Sequence, residues 1–452
     1  MFDRLVPAAL ADAAEAHLRA ERVLPGAIVA WLGHNSWDFI ATLVACQRIG
    51  AVLLPLNTRL APAELARIAG HAGAGHLLGT PDAESLAGEV LRRVPLKPGP
   101  AAGVETGDLL LVYTSGTTGE PKGAMHTAAG VMANAVAAIA AQGLNAATRT
   151  LAGLPLFHVG GLNIQTLPTL AAGGRVSLLP RFEPGAWFDA VEQWKPTTTL
   201  LVPAVMRALI EHPRWATADL ASLRFVNSGS QIVPRALIDA FHARGIPVAQ
   251  VYGATETGPV SVVLKPDEAM AHPGMAGRPA LGVQLRLAAD GEIWLKGPNL
   301  MRGYHRSASA DDRGFDADGW FHTGDLAVPH PGGLLEVVGR SKELIISGGE
   351  NIHPAEIENL LAGHPDIAEC AVVGVPDARW GEVPVLVVVP GAGRTFDAAA
   401  LQPLFDAQLA RFKHPRRVVL AQALPKTALG KVQRQQLAAR VHAASHGSPS
   451  PG

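Results

Sequence analysis

The stretch Tyr113-Thr114-Ser115-Gly116-Thr117-Thr118-Gly119-Glu120-Pro121-Lys122-Gly123 decides how this chain is read. It follows the apolar run Leu109 to Val112 and is expected to lead into a helix. Gly116 and Gly119 admit backbone turns closed to other residues, the hydroxyls of Thr114, Ser115, Thr117 and Thr118 supply donors, and Lys122 adds a positive charge. Together these meet the chemical needs of a phosphate cradle. No Gly-Lys-Ser/Thr follows four residues after Gly116, so the spacing is not that of a P-loop and speaks against a phosphoryl-transfer NTPase.

On both sides of this stretch, short β-rich runs such as Ala27 to Leu32, Thr198 to Val202 and Leu223 to Asn227 alternate with helix-length segments such as Ser36 to Ile49 and Pro184 to Trp194. The alternation predicts an α/β fold: a large multi-layer N-terminal domain, residues 1–340, with β-sheets flanked by helices. From Ala276 to Glu336 the texture shifts to short glycine-rich β runs, which predicts a β-rich subdomain. Residues 341–442 have their own pattern of one helix and paired strands and are read as a small α+β C-terminal domain. Residues 443–452, rich in Ser, Pro and Gly towards the end, are read as a disordered tail.

Composition narrows the function classes. The 452 residues carry 38 Lys and Arg against 39 Asp and Glu, so no net field exists to hold nucleic acid or an anionic membrane, and phosphate binding must be local. No run reaches the roughly 20 apolar residues needed to cross a bilayer. Met1 to Ala20 has acidic and basic residues at helical intervals and reads as an amphipathic helix rather than a signal peptide. The two cysteines, Cys46 and Cys370, lack zinc-site or disulfide spacing, and a cytoplasmic location is expected.

Further segments carry chemistry. In Val251-Tyr252-Gly253-Ala254-Thr255-Glu256-Thr257-Gly258, an aromatic ring can stack on a purine and a carboxylate beside hydroxyls can hold Mg²⁺, although Glu256 alone could equally be a helix first-turn carboxylate. Gly319-Trp-Phe-His-Thr-Gly-Asp325 presents a carboxylate suited to two neighbouring hydroxyls, followed at Gly339 by Arg340. Ser347-Gly348-Gly349-Glu350 is a turn before a helix that Pro354 can start, and Gly430-Lys431 taken alone is a solvated turn.

Taken in order, these segments resemble the adenylate-forming (AMP-binding) superfamily, in its acyl- and aryl-CoA synthetase branch, over residues 27 to 434. The resemblance implies an ATP-dependent acid:CoA ligase that forms an acyl-adenylate and passes the acyl group to coenzyme A, with ATP, Mg²⁺ and CoA as cofactors and a mobile C-terminal domain. It implies ATP contacts from Thr114 to Gly119, Lys122, Gly229, Ser230, Gln231, Tyr252, Gly253, Thr255, Asp325, Arg340 and Lys431. Tyr252 would stack on adenine, Asp325 and Arg340 would grip the ribose, and Glu256 with Thr114 would hold the metal. Lys431, Glu256, Arg340 and Lys122 would be catalytic, and Lys342 would be the hinge. Ser347, Gly348, Gly349, Glu350 and Trp380 would face CoA.

The acyl pocket is assigned by the same resemblance to Phe157, His158, Gly160, Gly161, Ser228, Gly253 and Gly258, with His158 gating the carboxylate. These segments carry no Arg or Lys, which favours a monocarboxylic fatty or aromatic acid, with Arg207 the nearest basic residue able to overturn this. A succinylbenzoate-CoA ligase, an adenylation enzyme loading a carrier protein and a non-catalytic nucleotide sensor stay open as alternatives. The partners expected are a small-molecule carboxylic acid, ATP and CoA, with a homodimer as the candidate oligomer.

Overall fold

The computed structural model describes residues 2–114, 122–306, 314–347, 350–377, 379–394, 396–427 and 430–446. Four sheets organise the chain. The first, six-stranded, runs in the order Gly303–Tyr304, Lys122–Thr127, Asp108–Thr114, Val52–Leu56, Ile28–Leu32 and His76–Gly79. The second, seven-stranded, runs Arg278–Pro279, Val262–Val263, Val248–Tyr252, Phe225–Gly229, Thr198–Leu201, Arg149–Ala152 and Arg175–Leu178. Its five longer strands are parallel, joined by helices such as Pro184–Trp194 and Arg235–His242. Gln284–Leu287, Glu292–Lys296, Phe321–His330 and Leu334–Arg340 form an antiparallel third sheet, the expected β-rich part.

Local chemistry explains several boundaries. Ser36 caps the helix Trp37–Ile49 by accepting from Phe39 N at 3.2 Å, and Gly50 ends it in the left-handed region. Thr127 caps Ala128–Gln142 in the same way. The helix is one element later than expected, however. The phosphate-loop stretch connects two antiparallel strands, Asp108–Thr114 and Lys122–Thr127, with Thr114 opposite Lys122, and the helix begins only after the second strand. Lys122 therefore opens a strand and not a helix. Loop residues 115–121 lie outside the described residues. At the start of the chain, Pro7 separates a short turn, Phe2–Arg4, from the helix Ala8–Ala20, and Phe2, Leu5 and Val6 are buried, so the expected single helix is two pieces.

After Arg340 a single turn, Ser341–Glu343, leads to the fourth sheet: Glu350–Ile352, Ile345–Ser347, Gly381–Pro390 and Ile367–Asp377, with Arg417–Leu420 parallel to Gly381–Pro390. Helices Pro354–Leu361, Gln402–Gln408 and Arg434–His446 pack on this sheet through Ile357, Leu361, Phe405, Leu437 and Val441. The large part has cores on both faces of its sheets, one around Trp31, Phe39, Leu53 and Leu110 and another around Trp187, Phe188, Met206 and Phe241. Among the described residues no helix is long and apolar enough to cross a membrane.

One ion pair joins distant parts of the first sheet. Arg302 reaches both oxygens of the fully buried Asp108 at 3.0 and 2.9 Å, and Glu105 at 2.5 Å. It thereby pins the edge strand Gly303–Tyr304 beside Lys122–Thr127. Truncating Arg302 to Ala leaves a buried carboxylate without its cation, and the expected cost is about 3–5 kcal/mol in urea unfolding. Adding Asp108→Asn to that variant should recover much of the loss.

Candidate active site

The site is built from loops at strand ends and from one residue of the small lobe. The Glu256 loop follows the strand Val248–Tyr252 and is fastened by two buried asparagines: Asn134 Oδ1 accepts from Val260 N at 3.1 Å, and Asn299 Nδ2 donates to the Thr257 carbonyl at 2.7 Å. Gly258 has φ +61°, and a Cβ there would meet the Asn299 carbonyl oxygen at 2.2 Å, so close backbone approach explains this glycine. Gly161 is similar, a Cβ meeting the Pro155 carbonyl oxygen at 2.2 Å. The fastened loop presents Glu256 with Oε1 accepting from Tyr304 Oη at 2.9 Å and 3.5 Å from Thr114 Oγ1. Oε2 accepts from no side chain among the described residues.

Beside it, Asp325 and Arg340 stand opposite each other on neighbouring strands and pair at 2.9 Å, while Tyr252 Oη donates to the second Asp325 oxygen at 2.8 Å. The predicted ribose and adenine residues are thus already in one cluster. Asp325 is nearly buried, and its charge raises the Arg340 guanidinium further above its ordinary range.

Lys431 enters from the small lobe. Its loop is a tight turn in which Lys426 bridges Val432, Thr427 N donates to the Lys431 carbonyl at 2.8 Å, and Gly430 has φ +78°. Surrounding protein atoms and then the charge of Arg340 hold the ammonium below the usual lysine range, although the residue is still exposed to solvent, with Asp325, Glu256 and Glu343 acting the other way. Three residues on, Arg434 clamps this loop: Nη1 and Nη2 hold Glu358 at 2.5 and 2.8 Å, and Nε holds Glu343, beside Lys342 in the turn between the lobes, at 2.9 Å. Lys342 itself is exposed. Arg434 and Tyr304 are the two residues that reading by motif left without a role. For Tyr304 a signal existed, since the chain has only three tyrosines and the other two, Tyr113 and Tyr252, lie in the motifs already named.

The candidate acyl wall follows the strand Arg149–Ala152. Phe157 and His158 lie 4.6 Å apart, and after them the chain takes a wide π-helical turn, Gly161–Thr166, a form associated with functional segments. Facing Gly160 is Ser230 Oγ, 3.6 Å from where a Cβ would be, and Ser230 is held at φ +69°, a strained conformation for serine. Ser228 is fully buried with its hydroxyl unpartnered, whereas Gln231 is exposed. Gly229 and Gly253 are sites of close backbone approach, to the carbonyl oxygens of Val251 and Pro259. The charge of Arg207 reaches Cys370 of the fourth sheet, where it opposes the upward push of burial on the thiol.

On the small lobe, Ser347 pairs with both Glu350 and Gly381, which places Ser347 next to the strand that follows Trp380. Trp380 is 36% exposed, with the guanidinium carbons of Arg379 and Arg416 at 4.8 and 5.5 Å from its ring. Gly348 and Gly349 lie outside the described residues.

Burial, with Arg59 and Lys431 as nearby cations, pushes His158 down to about 4, so its ring is neutral near neutrality. In the unfolded chain a histidine titrates near about 6.5. Between those values the unfolded chain binds a proton that the folded one does not, so stability falls as pH drops from about 6.5 towards about 4. His158→Gln should reduce the difference between urea midpoints at about pH 7 and about pH 5.

Residues 8–305 match the AMP-binding enzyme family and residues 356–431 its C-terminal domain. An indoleacetate–CoA ligase of Aromatoleum aromaticum is 45% identical, with 96% of this chain and 92% of that protein aligned. A feruloyl-CoA synthase of an Amycolatopsis species is 42% identical over 94% of this chain and 90% of that protein. The crystal structure of the anthranilate CoA ligase AuaEII in complex with anthranoyl-AMP superposes with a TM-score of 0.87 at 25% identity, covering 97% of this chain and 92% of that one. With the enzyme model and its C-terminal domain model together matched across most of the sequence, this chain belongs to the AMP-binding enzyme family.

Proposed function

We propose that the chain is an ATP-dependent acid:CoA ligase acting on an aromatic monocarboxylic acid. The carrying observation is convergence: Arg340 pairs with Asp325, Tyr252 donates to the same carboxylate, and the charges of Arg340, Asp325 and Glu256 reach Lys431 of the small lobe. Such a cleft suits a reaction that brings two anions together. A carboxylate oxygen attacks the α-phosphorus of ATP, the bond to pyrophosphate breaks, and the acyl-adenylate forms. Lys431 and Lys122 offset the negative charge while Asp325, Arg340 and Tyr252 orient the nucleoside, so positioning and electrostatics carry the step.

Glu256 Oε2 is a hard oxygen donor with Thr114 Oγ1 nearby, a set that fits Mg²⁺ bound mainly through nucleotide phosphates. When bound, Mg²⁺ would neutralise charge on the triphosphate. His158, neutral and beside Lys431, can close the carboxylate end of the pocket without repelling the lysine.

In the second step the CoA sulfur attacks the acyl carbonyl carbon, AMP leaves with the bonding electrons, and the thiol proton passes to solvent. Trp380 between Arg379 and Arg416 offers an aromatic face and two cations to a purine nucleotide carrying phosphates. We take residues 341–442 as the unit that turns at Lys342 to exchange Lys431 for the Ser347–Glu350 turn. The aromatic assignment is supported by the indoleacetate and ferulate named for the relatives and by the lack of Arg or Lys in the candidate acyl segments.

Two measurements test this. Pyrophosphate release with and without CoA should be fastest with aryl and arylalkanoic acids, and a preference for straight-chain fatty acids would refute the substrate class. Lys431→Ala should lower adenylate formation by about a hundredfold or more while thioester formation from supplied acyl-adenylate changes far less. Equal loss of both half-reactions would overturn the role given to Lys431.

A further inference from the structure

Glu256 and Lys122 carry opposite charges in one cleft, and a single uncharged side chain touches both. The Tyr304 hydroxyl donates to Glu256 Oε1 at 2.9 Å, and Lys122 Nζ stands 5.1 Å from the centre of the Tyr304 ring. The backbone delivers Tyr304 there independently of these contacts. Gly303–Tyr304 pairs with Lys122–Thr127, with Tyr304 opposite Ala124, and His305 N donates to the Gly123 carbonyl at 2.7 Å. The Arg302 to Asp108 ion pair locks the residue before this strand.

This arrangement has a chemical consequence. A carboxylate with both oxygens unrestrained would sample several rotamers and would tend to pair with a nearby lysine. Here Oε1 is held by the phenol and approached by Thr114 Oγ1, while Oε2 takes no side-chain donor among the described residues. A neutral donor restrains the carboxylate without cancelling its charge. Burial, followed by the Glu256 charge, pushes the phenol well above its ordinary range, so it remains an O–H donor at working pH. The ring face meanwhile offers Lys122 a resting place other than the carboxylate.

We propose that Tyr304 is a positioning residue for the metal-bound triphosphate, holding Glu256 Oε1 so that Oε2 meets the divalent cation and keeping the Lys122 ammonium beside the phosphates. This rests on the reading of Glu256 as the metal carboxylate.

The test measures binding without turnover: ATP is titrated into the full-length enzyme by calorimetry, with no acid present, with and without Mn²⁺ as the probe metal. In the wild type, Mn²⁺ should tighten ATP binding. Tyr304→Phe keeps the ring under Lys122 and removes only the hydroxyl, so metal-free ATP affinity should stay within about twofold while the Mn²⁺-dependent gain falls about tenfold or more, the worth of one charge-assisted hydrogen bond. Tyr304→Leu should weaken metal-free binding as well. A merely structural role would lower both affinities of the Phe variant in parallel, and that result overturns the proposal. So does an undiminished Mn²⁺ gain in a Phe variant whose melting curve shows it folded. If the wild type itself shows no Mn²⁺ gain, the metal role of Glu256 falls and this inference with it, which separates the two failures.

Discussion

The pairing of Asp325 with Arg340 is the constraint on which the rest of the site depends. The two residues are opposite one another on adjacent strands, so their 2.9 Å contact is set by sheet register and not by side-chain search. Tyr252 completes the cluster from a different sheet, tying the third sheet to the second. Arg340 is also the last residue of its strand. The chain leaves it directly into the turn Ser341–Glu343, so the point where the small lobe departs is bolted to the Tyr252 and Asp325 cluster.

From that fixed point, the position of Lys431 follows through a second ion cluster. Arg434 holds Glu343 in the departing turn and Glu358 in the helix Pro354–Leu361, and it also donates to the Val372 carbonyl at 2.9 Å. Breaking one partner of a largely buried charged set is costly, so the lysine loop, the turn and the fourth sheet behave as one piece. The proposed rotation between lobes would then have its hinge upstream of Glu343, at Ser341 or Lys342, both exposed. An exposed side chain loses no packing when its backbone dihedrals change, which suits a hinge.

Much of this was legible in the sequence, for physical reasons that differ between elements. Periodicity exposed Trp37–Ile49, Pro184–Trp194 and the parallel strands because buried α/β layers impose long apolar patterns. Tyr252, Glu256, Asp325, Arg340 and Lys431 were picked out through the resemblance of their segments to one family, since Glu256 alone suits a helix first turn and Lys431 alone a solvated turn. The second strand of the phosphate-loop hairpin, Lys122–Thr127, was missed, since Lys-Gly-Ala-Met-His-Thr has little β-branched content and its burial comes from strand neighbours distant in sequence. Gly161 and Gly258 were assigned to the acyl pocket by resemblance, and each also admits a backbone carbonyl, a demand visible only in three dimensions.

Tyr304 and Arg434 show why charge-bearing motifs are easier to read than the residues that hold them. Lys431 and Glu256 advertise a reaction, whereas a phenol or a guanidinium that restrains them advertises nothing until its partner is known. Glu256 lies 48 positions from Tyr304, and Glu358 lies 76 from Arg434. Both contacts cross between separate elements, so no local pattern encodes them. Tyr304 holds the Glu256 carboxylate by a neutral hydrogen bond, whereas Arg434 pairs with Glu343 and Glu358, three residues along the chain from Lys431. Neither residue therefore adds a cation between Lys122 and Lys431, and the positive charge available to anions in the cleft is that of the cleft residues themselves.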